Sequence, residues 1–424
     1  MKFSKIVALS AFSMLTLFAC KKEEKKEEKG FSTHLPNFGN VDVNKVFSPE
    51  DSKVENEAYV KSFLNQYYDH VWEKGNLWGG ILVAKGDQIL LEKYRGFSQD
   101  GDQNPIDAQT PMHVASVSKS LTAMVVLKLI DAKQLNLDDS LTKFFPSFPY
   151  QKVTVRTLLN QRSGLPKYEY FIEKIQPAPA ALSKKFITNK DILDMLIQYK
   201  PDLARDTDTG FMYCNTNYAL LALIVEKVTK TNFPDAMQQM VFKPLKMEHS
   251  YIFQEKDTST AAKSFYASGP RVHPYDRLDL VYGDKNVFTT PRDLFTFSKA
   301  MYSKDFMSKE LFDQAFMPYS NERAGVNNYG FGFRMKNYDQ GEKLTYHNGW
   351  WHGSNTVFGH LLNSKTTIIA IGNKYSTRVY TSLALASLFD DYPFEREKIL
   401  KAVGGSDSAS GNDINVISNE LNGE

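Results

Sequence analysis

The residues best suited to chemistry in this chain are a serine and a lysine three positions apart, Ser116 and Lys119. Apolar residues recur at helical spacing over 121–130, which predicts that both side chains lie on one face at the start of a helix. A serine hydroxyl is a poor nucleophile until a neighbouring base takes its proton. A lysine amine can do so where burial disfavours its charged form, and a helix N-terminus favours an oxyanion beside it. The pair therefore predicts nucleophilic catalysis.

The spacing alone does not identify an active site, because the same Ser-x-x-Lys pattern recurs at Ser140 and Lys143. This second copy follows two aspartates and runs into two phenylalanines and a proline. Most serine and lysine side chains are solvated, so we interpret it as a short helix or loop on the surface. Only the other residues that the fold places around each copy can distinguish the two.

The elements around these motifs predict a sheet assembled from both ends of the chain. A helix is indicated over 54–72 and a β-hairpin over 79–94, where a Gly-Asp turn separates two apolar runs. The last third indicates strands at 344–346, 356–362 and 366–371 and then a helix at 380–389. We expect an α/β (α+β) fold, with an antiparallel sheet from the N- and C-terminal parts, flanking helices and an inserted, mostly helical lobe.

Two further motifs carry side chains that could act on a substrate. Tyr213-x-Asn215 precedes a strongly apolar helix, and His347-Asn348-Gly349 follows the strand at 344–346. Each also has a structural interpretation: Tyr213 as a core aromatic residue, Asn215 as a helix cap, and His347 as a structural histidine. The irregular segment 167–210 is compatible with a roof over a site and with a surface insertion.

Taken in order, these three motifs resemble those of the serine β-lactamase/DD-peptidase superfamily. The resemblance is closest to the class C β-lactamase-related branch, which includes β-lactamases, carboxypeptidases, peptidases and esterases, and it spans roughly residues 55–390. Supporting matches lie at 155–166 and 329–332. Two departures stand out: the third motif is His-Asn-Gly where many β-lactamases have Lys-Thr-Gly, and 284–287 is Asp-Lys-Asn-Val where a glycine-rich loop is usual.

The resemblance implies a β-lactamase/transpeptidase-like fold and catalysis through an acyl-enzyme. Ser116 would attack the carbonyl carbon, Lys119 and Tyr213 would share the base role, and Tyr213 would activate the deacylating water. No metal or cofactor is implied. The substrate would be an amide or ester: a D-amino-acid peptide, a β-lactam or a small ester. A dedicated class C-like β-lactamase and a non-catalytic penicillin- or muropeptide-binding sensor are the alternatives.

The resemblance also implies a set of substrate-binding residues. Asn215 would bind the substrate amide and help to position Lys119, and His347 would help to orient Tyr213 and the substrate carboxylate. The oxyanion hole would be formed by the N–H of Ser116 and that of Trp350, directly after Gly349.

The start of the chain is typical of a bacterial lipoprotein. A basic beginning precedes an apolar run that ends at residue 18 and is too short to span a bilayer. Leu-Phe-Ala before Cys20 resembles a lipobox, which implies cleavage and lipid attachment at the cysteine sulfur. An ordinary signal peptide with a chance cysteine is the alternative. We expect a signal peptide at 1–19 and a charged tether at 20–50.

The remaining chain is expected to form the serine hydrolase domain, 51–395, and a disordered tail rich in Gly, Ser, Asn and Asp, 396–424. The net charge of +2 gives no reason to expect a nucleic-acid partner. With Cys20 lipidated, Cys214 is left without a partner for an intrachain disulfide. We expect a protein of the bacterial cell envelope, lipid-anchored to the outer membrane on its periplasmic or external face.

Overall fold

A computed structural model describes residues 35–101, 103–338, 343–396 and 399. The predicted signal peptide and the lipidation site Cys20 lie outside these residues, so those predictions stay predictions. The predicted disordered tail, 396–424, also lies outside them except for Arg396 and Ile399, which are helical, with Ile399 buried. Within the described ranges, none of the helices has both the length and the apolar character needed to cross a bilayer.

The strands form one large sheet and two small ones. In chain order they are β1 Gly79–Lys85, β2 Gln88–Arg95, β3 Phe97–Gln99, β4 Gln103–Pro105, β5 Met112–His113, β6 Tyr251–Ile252, β7 Val287–Thr289, β8 Asn327–Tyr329, β9 Arg334–Asn337, β10 Lys343–Trp351, β11 Ser354–Leu361 and β12 Thr366–Gly372. Seven of them make an antiparallel sheet in the order β2-β1-β12-β11-β10-β9-β8. Strands from both ends of the chain therefore share this sheet, as the sequence predicted.

The helices flank that sheet, and most of them lie in the chain between its N-terminal and C-terminal strands. They are α1 Glu57–Tyr67, α2 Ser118–Asp131, α3 Leu141–Phe144, α4 Val155–Leu159, α5 Tyr168–Lys174, α6 Asn189–Tyr199, α7 Asn215–Thr229, α8 Phe233–Met237, α9 Pro291–Met301 and α10 Lys309–Ala315. A π-helical turn, Tyr68–Glu73, extends α1. The predicted mixed α/β architecture with an inserted helical lobe is confirmed.

The sheet is covered on both faces, because its central strands are apolar at successive positions. In β1, Ile81 and Val83 pack with α1 and with the segment that follows β12, whereas Leu82 and Ala84 face α2 and α9. Side chains alternate between the two faces of a strand, so a continuous apolar run can fill two cores at once. The sheet is thus a shared wall between two hydrophobic cores.

The closing helix differs from the prediction, because Thr377–Leu388 is a 3-10 helix. Three hydroxyls in it bond to the carbonyl oxygen three residues earlier: Thr381 to Arg378, Ser382 to Val379 and Ser387 to Ala384. Such side-chain bonds compete with the longer-range backbone bonds of an α-helix. This gives a physical reason for the tighter winding.

Part of the predicted tether packs against the domain. Phe38 is fully buried, its ring stacks on Phe306 with centroids 4.3 Å apart, and its N–H donates to the carbonyl of Met240 across 3.0 Å. The packed chain therefore starts before residue 51, where the sequence placed the beginning of the domain. Phe38 was overlooked because a single aromatic residue among polar neighbours has no periodicity.

Candidate active site

Ser116 lies in a 3-10 turn, Ala115–Val117, that leads directly into α2. The preceding residue, Ala115, has a φ of +46°, a left-handed conformation that costs a side-chain-bearing residue about 1–2 kcal/mol. Residues held in this region cluster at functional sites, where the surrounding structure imposes the conformation. The turn leaves the Ser116 side chain partly exposed, while residues 117–127 after it are buried.

Lys119 points its amine at the serine, as the spacing predicted. Its Nζ donates to Ser116 Oγ across 3.1 Å and to the carbonyl oxygen of Asp284 across 2.8 Å. The lysine is fully buried and also lies 5.0 Å from the ring centre of Tyr213 and 5.8 Å from that of Tyr218. Burial and two oxygen partners hold the amine within reach of the hydroxyl proton.

The turn that carries Tyr213 is fixed by Gln161. The Gln161 side-chain oxygen accepts from the N–H of Cys214 at 3.0 Å and from the amide of Asn217 at 2.6 Å, and its backbone carbonyl accepts from the N–H of Met212 at 2.9 Å. These bonds place Tyr213 directly before α7. The structure thus brings Tyr213 beside Lys119, although the two are far apart in sequence.

Asn215 is the first residue of α7, but its side chain does not cap that helix. Its amide instead donates to Glu169 Oε1, on α5. The Lys119 amine donates to Ser116 and to Asp284, and the Asn215 amide donates to Glu169, so the structure does not bring Asn215 to the predicted position beside Lys119. The helix-cap interpretation is wrong, and the predicted contact with a substrate amide stays a prediction.

His347 lies inside β10 and is fully buried. Its Nδ1 lies 2.7 Å from the carbonyl of Asn348, and its Nε2 lies 3.2 Å from the hydroxyl of Tyr329. A carbonyl can only accept, so Nδ1 carries the proton and Nε2 accepts from Tyr329. Burial first, and then the positive charges of Arg334 and Lys119, hold the pKa of His347 well below its usual range. The ring is therefore neutral and has no positive charge to offer a substrate carboxylate.

Arg334 supplies a cation that the motifs did not reveal. It starts β9, where it pairs with Tyr346 of β10, and its guanidinium carbon lies 4.8 Å from the ring centre of Tyr213. Tyr213 is therefore contacted by Lys119 and by Arg334. The sheet register places Arg334 here, and the family-like match at 329–332 ends before it.

Gly349 lets β10 press against the Ser116 turn. A Cβ at this position would lie 2.3 Å from the carbonyl oxygen of Val114 and 3.3 Å from the backbone nitrogen of Ser116. The backbone just before Trp350 therefore lies beside the Ser116 N–H, at the start of a helical segment where N–H groups lack helical partners. The two predicted oxyanion donors thus lie on touching backbone segments. The Trp350 side chain is 63% exposed.

A buried polar cluster behind Lys119 was also missed from the sequence. The Tyr168 hydroxyl donates to Asp284 Oδ2 across 2.8 Å, and the Lys285 amine donates to that hydroxyl across 2.5 Å. Lys285 also lies 3.4 Å from Asp284 Oδ2. The Asp-Lys-Asn segment that replaces a glycine-rich loop therefore forms a charged wall of the site. Tyr168 and Glu169 show that the start of 167–210 contributes to the site.

The free thiol Cys214 and two further histidines have structural partners. Burial raises the pKa of the Cys214 thiol to about 11, and its Sγ lies 3.3 Å from the carbonyl of Leu165, so a reactive thiolate is disfavoured. His360 is buried and bonds to Ser298 at 2.8 Å. His352 lies 3.0 Å from Asp279 Oδ1.

Comparison with known proteins gives a family and a fold. Residues 64–386 match the family described as Beta-lactamase. Penicillin-binding protein 4* of Bacillus subtilis is 29% identical over 345 residues, 77% of this chain and 74% of that protein.

Two solved structures agree in fold. One is the octameric penicillin-binding protein homologue from Pyrococcus abyssi, with a TM-score of 0.67 and 23% identity, covering 82% of this chain and 80% of the other. The second is the D-amino acid amidase from Ochrobactrum anthropi SV3, with a TM-score of 0.59 and 21% identity, covering 73% and 90%. The relatives are thus penicillin-binding proteins and D-amino acid amidases of the serine hydrolase superfamily.

Proposed function

Because the chain belongs to the Beta-lactamase family, as the order of its motifs predicted, we propose that it is a serine hydrolase acting on an amide or ester through an acyl-enzyme on Ser116. One observation carries the proposal: the buried Lys119 amine lies 3.1 Å from Ser116 Oγ and is held there by the carbonyl of Asp284. A hydroxyl and an amine at this distance can exchange a proton while the oxygen attacks.

In the proposed reaction, Ser116 Oγ forms a bond to the substrate carbonyl carbon while its proton passes to the Lys119–Tyr213 pair. The carbonyl oxygen, now negative, receives the N–H groups of Ser116 and Trp350. The leaving amine or alcohol takes the proton as its bond to carbon breaks. Water then attacks the acyl carbon and gives a proton to Tyr213. That proton returns to Ser116 Oγ as the bond between Oγ and the acyl carbon breaks, which releases the acid and restores the serine. Positive charge on Lys119 and Arg334 stabilises the phenolate form of the Tyr213 side chain during these steps.

The charges around the site favour a substrate with a carboxylate. His347 is neutral, so Arg334 beside Tyr213 is the group we assign to binding that carboxylate. Guanidinium groups bind carboxylates through paired hydrogen bonds. A D-amino-acid peptide or a β-lactam would carry such a group, whereas a small neutral ester would not. The name of one relative, penicillin-binding protein, supports the same choice, because penicillins carry a carboxylate.

The test is intact mass after exposing a soluble form beginning near residue 30 to benzylpenicillin and, separately, to a fluorophosphonate. Labelling by the fluorophosphonate that disappears in Ser116→Ala is expected. A persistent penicillin adduct would indicate a penicillin-binding peptidase, and hydrolysed penicillin without an adduct would indicate a β-lactamase. Adducts with neither reagent, and no hydrolysis, would leave only the non-catalytic sensor. Labelling retained in Ser116→Ala would remove Ser116 as the nucleophile.

We also propose that the protein is held on a membrane of the bacterial envelope by a lipid on Cys20. The support is the lipobox-like sequence and the charged stretch after it. Detergent phase partitioning of the full-length protein tests the anchor: Cys20→Ser should move it to the aqueous phase, whereas Cys214→Ser should leave it in the detergent phase. Equal partitioning of Cys20→Ser and the unaltered protein would contradict the proposal.

A further inference from the structure

A carboxylate and an amine are buried next to each other directly behind Lys119. Asp284 and Lys285 are consecutive residues before β7, and their exposed fractions are 0% and 2%. The backbone carbonyl of Asp284 accepts from the Lys119 amine across 2.8 Å, and that amine lies 3.1 Å from Ser116 Oγ. The acidic side chain therefore belongs to a residue in direct contact with the candidate base.

The Asp284 carboxylate has an incomplete set of partners. Its Oδ2 accepts from the Tyr168 hydroxyl across 2.8 Å and lies 3.4 Å from the Lys285 amine. Its Oδ1 is buried and has no hydrogen-bond partner within the described part of the chain. A buried carboxylate is costly unless a cation compensates it, so the ion pair with Lys285 carries much of that compensation.

The Lys285 amine is held in place by a hydroxyl and an aromatic ring. It donates to the Tyr168 hydroxyl across 2.5 Å and lies 4.6 Å from the ring centre of Trp351. Burial first, and then the negative charge of Asp284, hold the pKa of Tyr168 well above its usual range, so the hydroxyl keeps the proton that it donates to Asp284. A neutral hydroxyl and an aromatic face thus fix Lys285, and its charge is directed at the Asp284 carboxylate.

A second buried lysine shows that aromatic packing alone can hold such a side chain in this fold. Lys374 is 7% exposed, lies 4.9 Å from the ring centre of Trp78 and forms no ion pair with any other described residue. Replacing a buried ion pair by apolar residues is often neutral or stabilising, so stability does not by itself explain the pairing of Lys285 with Asp284. The pair differs from Lys374 in its contact with the candidate base, which points to a role in the reaction.

The ionisable groups around the Lys119 amine are mostly aromatic or basic. They are Tyr213 before α7, Tyr218 on α7, Tyr168 on α5, Tyr329 on β8, Arg334 on β9, His347 on β10, and Asp284 with Lys285 before β7. Burial raises the pKa of Tyr218 well above its usual range and lowers that of His347 well below it, so both are neutral. The carboxylate in this set is that of Asp284, and the cation paired with it is Lys285.

The charge of Asp284 acts directly on the candidate base. The Lys119–Tyr213 pair must lack one proton before it can take that of Ser116. A nearby carboxylate favours the protonated form of such a pair, whereas a nearby cation disfavours it. An uncompensated Asp284 would therefore hold the pair in its protonated form, which cannot act as a base.

We propose that Lys285 is a positioning residue for the proposed reaction: its ammonium group compensates the Asp284 carboxylate, so that Lys119 with its partner tyrosine can give up a proton and act as the base. The carbonyl of Asp284 meanwhile holds the Lys119 amine toward Ser116 Oγ. Residue 284 thus places the base, and Lys285 offsets the charge that residue 284 brings with it. The inference rests on the proposed acyl-enzyme function of Ser116 and adds how its base is kept ready.

The test measures the rate at which a fluorophosphonate acylates Ser116 as a function of pH, in the soluble form used above. The variants are Lys285→Met, Asp284→Asn, the double variant with both changes, and the matched control Lys374→Met. Methionine keeps most of the length of the lysine side chain without its charge, and asparagine keeps the backbone carbonyl that holds Lys119. The acid limb of each profile reports the protonation of the Lys119–Tyr213 pair.

The two single variants should shift the acid limb in opposite directions. Lys285→Met should move it to higher pH by about one unit and lower the rate below the limb by about tenfold, because the carboxylate is then uncompensated. Asp284→Asn should move it to lower pH by about the same amount, because the Lys285 cation is then uncompensated. The double variant should lie within about threefold of the unaltered enzyme at each pH, and Lys374→Met should leave the limb in place.

A merely structural ion pair would give a different pattern. Both single variants would then lose stability, or activity at every pH, with no opposite movement of the acid limb. Lys285→Arg adds a further check, because it keeps the positive charge: the limb should stay in place whatever happens to the maximal rate. Thermal unfolding of every variant reports separately on stability.

An acid limb that stays in place in both single variants, or that moves in the same direction in both, would overturn the inference and leave the hydrolase intact. If Lys285→Met does not fold, Asp284→Asn and the double variant decide. A limb that moves to lower pH in Asp284→Asn and returns in the double variant supports the role of Lys285, and an unmoved limb rejects it. Absence of labelling of the unaltered protein at every pH would reject the proposed function and the inference with it.

Discussion

The chain contains the same Ser-x-x-Lys pattern twice, and the two copies have opposite surroundings. At the first, Lys119 is fully buried and its amine lies 3.1 Å from Ser116 Oγ. At the second, the Lys143 side chain is 54% exposed and its amine bonds to Asp139 at 2.8 Å. Ser140 there is the N-cap of α3, and its hydroxyl accepts from the N–H of Thr142. The first copy is a candidate catalytic pair, and the second is a helix cap beside a surface ion pair.

The contrast shows which features separate a reactive pair from a surface turn. The amine of Lys119 is held by a neutral backbone carbonyl from a distant segment, whereas that of Lys143 is held by a carboxylate four residues away. The first arrangement needs the whole fold, and the second needs one turn of helix. Replacing matched residues in the two copies therefore tests whether tertiary context, rather than the motif, supplies the chemistry.

The largest difference should come from the two serines. Ser116→Ala should lower kcat/KM on any cleaved ester or amide by about 10⁴-fold or more, since loss of a nucleophile removes most of a catalytic unit. Ser140→Ala should leave kcat/KM within about twofold. Steady-state kinetics on the best substrate checks both. Comparable losses in the two variants would end the distinction between the copies.

The two lysines should differ in the same direction but by less. Lys119→Gln should lower kcat by about 10²- to 10⁴-fold, the usual contribution of a general base. Lys143→Gln should have no measurable effect on kcat, because it breaks only an exposed ion pair. Single-turnover acylation by a fluorophosphonate isolates the step. Unchanged acylation in Lys119→Gln would assign the base role to Tyr213 alone.

Much of this arrangement could be predicted, because local pattern sets it. The helix after Ser116, the hairpin of β1 and β2 and the strands after residue 343 follow from apolar periodicity and turn residues. Local pattern does not predict contacts between segments that are distant in sequence. Three such contacts shape the site: Lys119 with Asp284, Asn215 with Glu169, and Tyr213 with Arg334. The charge of His347 could likewise not be predicted from the sequence, because it depends mainly on the burial of the ring.

The free energy of unfolding should depend on pH through three buried histidines, His113, His347 and His360. Burial lowers the pKa of His113 and of His360 to about 3 each, and that of His347 well below its usual range. Above a pH of about 6.5 these side chains are neutral in both folded and unfolded chains. Below it, the unfolded chain binds protons that the folded chain does not, so the free energy of unfolding falls.

Each such histidine should remove roughly 1.4 kcal/mol per pH unit below 6.5 until the folded pKa is reached. Urea unfolding between pH 7 and pH 5 measures the slope. His360→Gln should reduce that slope by one histidine's share. A free energy of unfolding that is flat across this range would show that the buried rings accept protons in the folded state.

The smallest predicted effect is on stability, where replacing Ser140 should matter more than replacing Ser116. Ser140→Ala should lower the free energy of unfolding by about 1 kcal/mol through loss of the helix cap. Ser116→Ala should change it by less, because the Ser116 side chain caps no helix end. Thermal and urea unfolding of both variants provide the measurement. A larger loss of stability from Ser116→Ala would mean that its hydroxyl also supports the turn.

The pairing of β1 with β12 has a consequence for the order in which the protein can fold. Gly79 is in register with Gly372 and Lys85 with Thr366, so strands from the two ends of the domain pair inside the sheet. A chain still being synthesised cannot complete this sheet until the last strand has emerged, and such long-range pairing is slow to form. Until then, one edge of β1 has open hydrogen-bonding groups that can pair with other chains. Truncation before β12 should therefore yield aggregation rather than a smaller active enzyme.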